Sequence, residues 1–350
     1  MDNNINITTL NHYFSLQKQE YKRLDDKNFT KKIVEYSPIA INEVNISNKI
    51  KKIPYYTNFF SILEDYELLN ISELNEHIFE KLKNVNNNFY LFQYLDIESI
   101  DFIDYVYNFT SIKQLIFHMI ETFSHIFKGL HILNQNGICF FDISPKNILF
   151  HREKPILHNF QLSLRLNNMD FTYFSNILNK LDDFTYQPLE IHILYFFIKH
   201  DILTISYSFI EEFCEEYIEN LHVLRLFSEN YKKMYKVKCI ETMRKYINRS
   251  RDEIIDDILE RNDKWDVYGI SILYIQIFGC ISRIFSLKGT FISKIILELS
   301  KNLHPDSDNR MTLNETLDKF NILLNQQEEW NFVNKLNNNK LEELFDELSR

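Results

Sequence analysis

Glycine is nearly absent from this chain: its 350 residues include five, the first at Gly129. No glycine-rich, phosphate-cradling loop can therefore lie in the first third. Only six prolines accompany them, which excludes collagen-like and glycine-linker architectures. Cysteine is scarce as well. Cys139, Cys214, Cys239 and Cys280 stand far apart, with no C-x-x-C pair and no histidine cluster at ligand spacing. They read as buried thiols in a reducing compartment in preference to a disulfide or zinc framework. Basic charge is in deficit, with 39 Lys and Arg against 49 Asp and Glu and a net charge of −10. That argues against a general grip on nucleic acid or anionic lipid, although a local basic groove remains compatible with it. The opening MDNNINITTLNHYF has no basic flank leading into an apolar core, so a secretory signal is not expected. The apolar run IHILYFFI stops at Lys199, His200 and Asp201, too short to span a bilayer. No membrane partner is expected, and the sequon Asn108-Phe109-Thr110 reads as a chance match in an Asn-rich chain.

What is present is core material: 45% of residues are hydrophobic and 15% aromatic, which rules out wholesale disorder. Residues 1–95 mix short β-prone runs, FTKKIV and NNNFYLFQYL, with a helical pattern near 42–53 in which Val44, Ile46, Ile50 and Ile53 recur. This reads as a small α+β lobe. From about 111 the chain turns helical, beginning with IKQLIFHMIETFSHIFKGLHILNQNG, and Gly137 ends that run. Residues 191–262 alternate apolar and charged residues and read as a helix-rich insertion within a larger unit, 96–325. Acidic runs such as EEFCEE read as solvated helix faces. The tail, 326–350, reads as one or two amphipathic helices docked on the body.

The chemistry concentrates in GLHILNQNGICFFDISPKNILF, residues 129–150. A helix closes at Gly137, a short apolar strand leads to Asp142, and Asn147 follows in a proline-containing loop before the strand Ile148-Leu149-Phe150. An Asp can accept or orient the proton of an attacking hydroxyl, and an Asn five residues later offers a neutral oxygen to Mg²⁺. In this setting the loop resembles the catalytic loop of eukaryotic-type protein kinases, H-R-D-x-x-x-x-N. Further segments follow in the family's order. Asn159-Phe160-Gln161 stands where the family has D-F-G, and Pro188-Leu189-Glu190 where it has A-P-E. WDVYGISILYIQIF resembles the D-x-W-x-x-G helix through Asp266, and HPDSDNRMTLNETL resembles the closing element whose Arg, here Arg310, pairs with the activation-segment Glu, here Glu190.

The resemblance implies a bilobal kinase-like α+β fold, with a small β-rich N-lobe over 1–95 and a large helical C-lobe. It implies ATP and Mg²⁺ (or Mn²⁺) as cofactors, a protein substrate as partner, and phosphoryl transfer to a Ser or Thr hydroxyl more than to Tyr. Asp142 would be the base, Asn147 and Asn159 the metal ligands, and Lys32 with Glu43 the pair that positions the phosphates. Lys32 is preferred over Lys31 because Ile33 and Val34 follow it, and Glu43 shares a helical face with Ile46 and Ile50. The FYLFQYL run resembles the hinge that meets adenine through its backbone, around Gln93, Tyr94 and Leu95. Glu190, Asp266 and Arg310 would be structural.

Departures are concentrated at the site. Phe140-Phe141 replaces His-Arg, so the arginine that reads a phosphorylated activation loop is gone. Ser144 stands where Ser/Thr kinases carry Lys, leaving Lys146 as a displaced cation, and Asn159 replaces a metal-binding Asp with a poorer ligand. With the long insertion and the Asn-, Ile- and Lys-rich composition, the chain resembles the divergent kinases of large DNA viruses, which implies a cytoplasmic location, the host cytoplasm if viral. Two competitors stand beside the kinase: a pseudokinase scaffold, favoured by Asn159, Gln161 and the missing glycines, and a small-molecule kinase, which the Glu190 and Arg310 matches count against.

Overall fold

β1 (Phe29–Glu35), β2 (Leu63–Leu69) and β3 (Phe89–Leu95) form an antiparallel sheet in the order β1-β3-β2. The coordinates are those of a computed structural model, which describes residues 29–69, 88–167, 169–200, 202, 204–325, 333 and 335–349. Residues opposite one another across an antiparallel pair share a face of the sheet. Thr30, Lys32 and Val34, opposite Tyr94, Phe92 and Tyr90, therefore lie on one face, and Lys31, opposite Gln93, lies on the other. The first face carries the contacting rings of Tyr90, Phe92 and Tyr94, and α1 (Pro38–Ile50) covers it.

α1 begins before the expected 42–53 because Ser37 and Pro38 start it. The Ser37 hydroxyl accepts from the Ala40 N–H at 3.2 Å, and Pro38 occupies the first turn, where its missing N–H is harmless. The helix has two apolar faces. Ala40 and Val44 pack with Leu63 and Phe92 under the sheet, while Ile46 and Ile50 enter the main core. Between them Asn42 donates to the carbonyls of Gln161 at 3.0 Å and Ser163 at 2.8 Å and accepts from the Tyr173 hydroxyl at 2.8 Å.

The remainder is mostly helical, giving an α+β chain with its small sheets in the N-terminal part. β4 (Ile100–Asp101) leads into the short α2 (Phe102–Tyr107) and the long α3 (Ile112–Gln135). β5 (Ile138–Cys139) follows, then the hairpin β6 (Ile148–His151) and β7 (Lys154–Leu157), then β8 (Leu164–Arg165). The helices that complete the body are α4 (Phe171–Leu178), α5 (Leu189–Lys199), α6 (Tyr207–Asn220), α7 (Glu229–Arg244) and α8 (Arg251–Leu259). After them come α9 (Trp265–Ile284), α10 (Phe291–Ser300), α11 (Leu313–Leu324) and α12 (Leu341–Leu348).

α9 is the axis of the body: every residue but Gln276, Ser282 and Arg283 is buried. Asn262–Ile284 is the one helix among the described residues long and apolar enough to cross a membrane, and 78% of its apolar window is buried inside the protein. The described residues of 191–262 are mostly helical, and their buried side chains belong to the main core. Each of their helices has a single apolar stripe, and Ile210, Cys214, Tyr235, Cys239 and Ile254 bury it in that core. The Tyr217 and Tyr268 hydroxyls meet at 2.6 Å, and Tyr235 donates to the Leu303 carbonyl at 2.8 Å. All four cysteines are free and buried. In the tail, α12 docks through fully buried Leu344, and the Phe345 ring meets Tyr107 of α2 at 5.1 Å, tilted by 49°. The EEWNFV part of the expected tail helices falls almost wholly outside the described residues.

Because Asn42 is the polar bolt between α1 and the segment after Asn159, Asn42→Ala is expected to cost about 1–3 kcal/mol by leaving buried carbonyls without donors. Urea unfolding monitored by circular dichroism measures this; a loss within error of zero would show that apolar packing alone seats α1.

Candidate functional site

The site is built on the loop between β5 and β6. Phe141 stands at φ 68, and the Asp142 N–H donates to the Phe140 carbonyl at 2.8 Å. This is an i to i+2 bond around a left-handed residue, the strained γ-turn. What holds it is Asp266, in the first turn of α9, whose carboxylate accepts from the N–H groups of Phe140 and Phe141, both at 2.8 Å. The Cys139 thiol adds a third contact at 3.3 Å. Burial pushes the Asp266 carboxyl up, and the two amides and the thiol pull it back. Gln187 closes the turn from the other side, donating to the Phe141 carbonyl at 2.9 Å, and Ser163 donates to the Phe140 carbonyl at 3.1 Å.

The turn leaves Asp142 5% exposed. Its carboxyl is pushed up by burial; Asn147 and Lys146 act against this, and Asp183 and Asp182 add to it. Ser144, two residues on, has a buried hydroxyl with no partner.

The β6–β7 hairpin explains how two asparagines twelve positions apart come together. Its ladder pairs Ile148 with Leu157 and ends at His151 and Lys154, and the tip residues Arg152 and Glu153 have φ of 48 and 65. Positive φ at both tip positions is the demand of a type I′ turn, met here without glycine. Asn147 enters the hairpin and Asn159 follows it. The Asn147 amide donates to the Asp142 carbonyl at 2.9 Å, and its oxygen accepts from the Asn159 amide, also at 2.9 Å. Asn159 sits at φ 64, a conformation that asparagine tolerates better than most residues. Phe160, next in line, is 1% exposed and meets Phe60 at 5.8 Å and Phe140 at 5.1 Å, both edge-on.

In the small sheet Glu43 is 5% exposed, and its direct partner is the Tyr94 hydroxyl, which donates to Oε1 at 2.8 Å. Burial raises the Glu43 carboxyl, while Tyr94 and the charge of Lys32 lower it. Lys32 thus shares the α1-facing side of the sheet with Glu43, yet it is exposed and forms no ion pair with it. The expected lysine–glutamate pair is therefore present as a field and not as a contact. Lys31 lies on the opposite face.

Strand pairing bears on the expected adenine contact at Gln93, Tyr94 and Leu95. β3 is a central strand, and such a strand sends its peptide groups alternately to both neighbours. Gln93 is matched by Lys31 and Asp65, Tyr94 by Thr30 and Leu63, and Leu95 by Phe29. Leu95 has no partner on the β2 side, so backbone free of the ladder begins there and continues through residues 96–99.

Farther down, Glu190 and Arg310, 120 positions apart, form a bidentate ion pair at 2.6 and 2.8 Å. The Arg310 side chain is wholly buried, donates also to the His304 and Pro305 carbonyls at 2.7 and 3.0 Å, and lies over the Tyr268 ring at 4.9 Å. Glu190 holds the Arg310 guanidinium charged, against burial.

Sequence reasoning missed Asn42, Gln187 and the role of the Tyr94 side chain. Asn42 alone carried a signal, as a polar residue inside the apolar stripe of α1. Scanned against models of known protein families, the chain matches none, and no characterised protein matches it in sequence.

Arg310→Ala is expected to cost about 3–5 kcal/mol, because Glu190 and two carbonyls would lose a buried partner. Chemical denaturation measures it, and a loss below about 1 kcal/mol would mean that water replaces the guanidinium freely.

Proposed function

We propose that this chain is a divergent protein-kinase-like phosphotransferase. In this reading, residues 29–95 form a reduced small lobe and the helical part the large lobe. ATP binds between them, and a Ser or Thr hydroxyl of a protein substrate receives the γ-phosphate. One observation carries the reading: a strained turn, clamped by Asp266, sets Asp142, whose backbone carbonyl accepts from Asn147, and Asn147 in turn accepts from Asn159 beyond the hairpin. Asp142 accepts the proton as the hydroxyl oxygen bonds to phosphorus, and the bond from phosphorus to the ADP oxygen breaks. Lys32, exposed on the α1-facing side of the sheet, supplies positive charge for the phosphates. Leu95 and residues 96–99, not Gln93 or Tyr94, offer backbone to adenine.

Mg²⁺ or Mn²⁺ fits the present donor set poorly. Asn147 and Asn159 are neutral, the Asn147 oxygen already accepts from Asn159, and no cluster of three or more His, Cys, Asp or Glu suited to a metal exists among the described residues. That bond favours a second reading, a pseudokinase that binds nucleotide weakly or not at all and acts through partners.

Thermal stabilisation by ATP, with and without Mg²⁺ or Mn²⁺, tests nucleotide binding by mass action. Radiolabelled phosphate transfer to a generic protein substrate tests catalysis. Asp142→Ala is expected to lower the rate by about 10²-fold or more, and Asn159→Asp to raise it or lower the Mg²⁺ concentration needed. Since burial raises the Asp142 pKa above its ordinary 3.8, and the base must be ionised, activity should fall as pH drops through that raised value. ATP binding without transfer in the wild type and in Asn159→Asp would establish the pseudokinase; transfer untouched by Asp142→Ala would remove Asp142 from the mechanism.

A further inference from the structure

Glu43 is a buried carboxylate with a single hydrogen bond. Packing fixes its place, since Ala40 and Val44 flank it on α1 and pack with Phe92 and Leu63. The Tyr94 ring lies against the same cluster and meets Phe92 at 6.3 Å, nearly perpendicular. The sheet and the helix together bring the Tyr94 hydroxyl to Oε1 at 2.8 Å, and Oε2 has no hydrogen bond among the described residues. Lys32, opposite Phe92 on the same face, makes no hydrogen bond or ion pair among the described residues and acts on Glu43 only through its charge.

We propose that Tyr94 is the positioning residue for Glu43: its hydroxyl holds Oε1 in place, so that the carboxylate draws Lys32 through its charge without binding it and the ammonium can meet the phosphates of a bound nucleotide. A lysine that must hold its own glutamate loses part of its charge to that contact. Here a neutral hydroxyl does the holding, and the ammonium stays available. The nucleotide half rests on the phosphotransferase reading; the Tyr94–Glu43 half does not.

The two halves are tested separately. Elements beside α1 also carry Lys31 and Glu35 on β1, Glu64, Asp65, Tyr66 and Glu67 on β2 and Tyr173 on α4, but among the described residues the groups that shift Glu43 are Tyr94 and Lys32. The folded carboxyl has a pKa above its ordinary 4.5, so its contribution to stability is present in acid and is lost as pH rises through the folded value. Removing the hydroxyl raises the folded value further and deepens that loss. Thermal unfolding of the full chain should show Tyr94→Phe lowering the midpoint by about 2 °C at pH 8 and by clearly less at pH 5. A hydrogen bond to a carboxylate is stronger than one to a carboxylic acid. In a Glu43→Gln background this pH dependence of the Tyr94→Phe effect should vanish. An equal loss at both pH values, or the same pH dependence in both backgrounds, overturns the assignment.

For the second half, Tyr94→Phe should weaken ATP binding, read from ATP-dependent midpoint shifts, by about 3- to 10-fold at pH 8. It should have no further effect in a Lys32→Met background. Weakening that persists without Lys32 places Tyr94 in direct contact with nucleotide and overturns the positioning role. If ATP shifts the wild type not at all, the phosphate half falls together with the phosphotransferase reading, and the pH cycle alone decides whether Tyr94 holds Glu43.

Discussion

The carboxylate of Asp266 is the constraint on which the rest of the site depends. A bulky residue in the left-handed region costs about 1–2 kcal/mol, and Phe141 pays it at φ 68. Such a conformation persists only where the surroundings over-determine it. Two amides on one carboxylate, with Gln187 and Ser163 on the intervening carbonyls, do so. The carboxylate itself is fully buried, and its burial is offset by the same donors and by its place in the first turn of the 20-residue α9, where the helix field favours an anion. Without it the γ-turn has no reason to hold, and Asp142, which follows immediately, loses its direction.

The consequences reach upward through packing. Phe140, whose N–H is held by Asp266, meets Phe160 edge-on, and Phe160 meets Phe60 in the same way. Phe60 in turn bridges to Leu157, at the end of the β6–β7 hairpin that sets the Asn147–Asn159 pair. Asn42 then fastens α1 to the carbonyls just beyond Phe160. The placement of Glu43, one residue along α1, is therefore tied through these contacts to the turn that presents Asp142. The loop and the small sheet are not independent supports.

Local patterns that carry their own physics were legible. The Gly137 stop, the apolar periodicity of α3 and the order of the loop and helix matches led to Asp142 with Asn147 and to Glu190 with Arg310, and each pair is in contact. What needs a second element to define it was not. Strand alternation separates Lys31 from Lys32 but cannot say which face a helix will cover. Helical spacing puts Glu43 on an inward face but does not name Tyr94 as the group waiting there. A run such as FYLFQYL looks the same as a central strand or as an edge; only the pairing of β3 on both sides withdraws the backbone of Gln93 and Tyr94. The helices of 191–262 look self-contained in sequence because each carries one apolar stripe, and a stripe does not state which core it completes.

Two features bear on the proposed phosphate site and on each other. A glycine loop contributes backbone N–H groups to anionic phosphates, and no glycine precedes Gly129. A carboxylate after the hairpin would put one more negative charge beside Asp142, whose carboxyl Asp182 and Asp183 already push upward. In a protein of net charge −10 that addition is tolerable only if a metal ion is bound there. Asn159 removes the charge, and its amide instead satisfies the Asn147 oxygen. The two asparagines of the loop are thereby paired with each other and with the Asp142 carbonyl, without a metal. The cation whose charge reaches Asp142 in this loop is Lys146, while Lys32 acts on Glu43 in the small sheet.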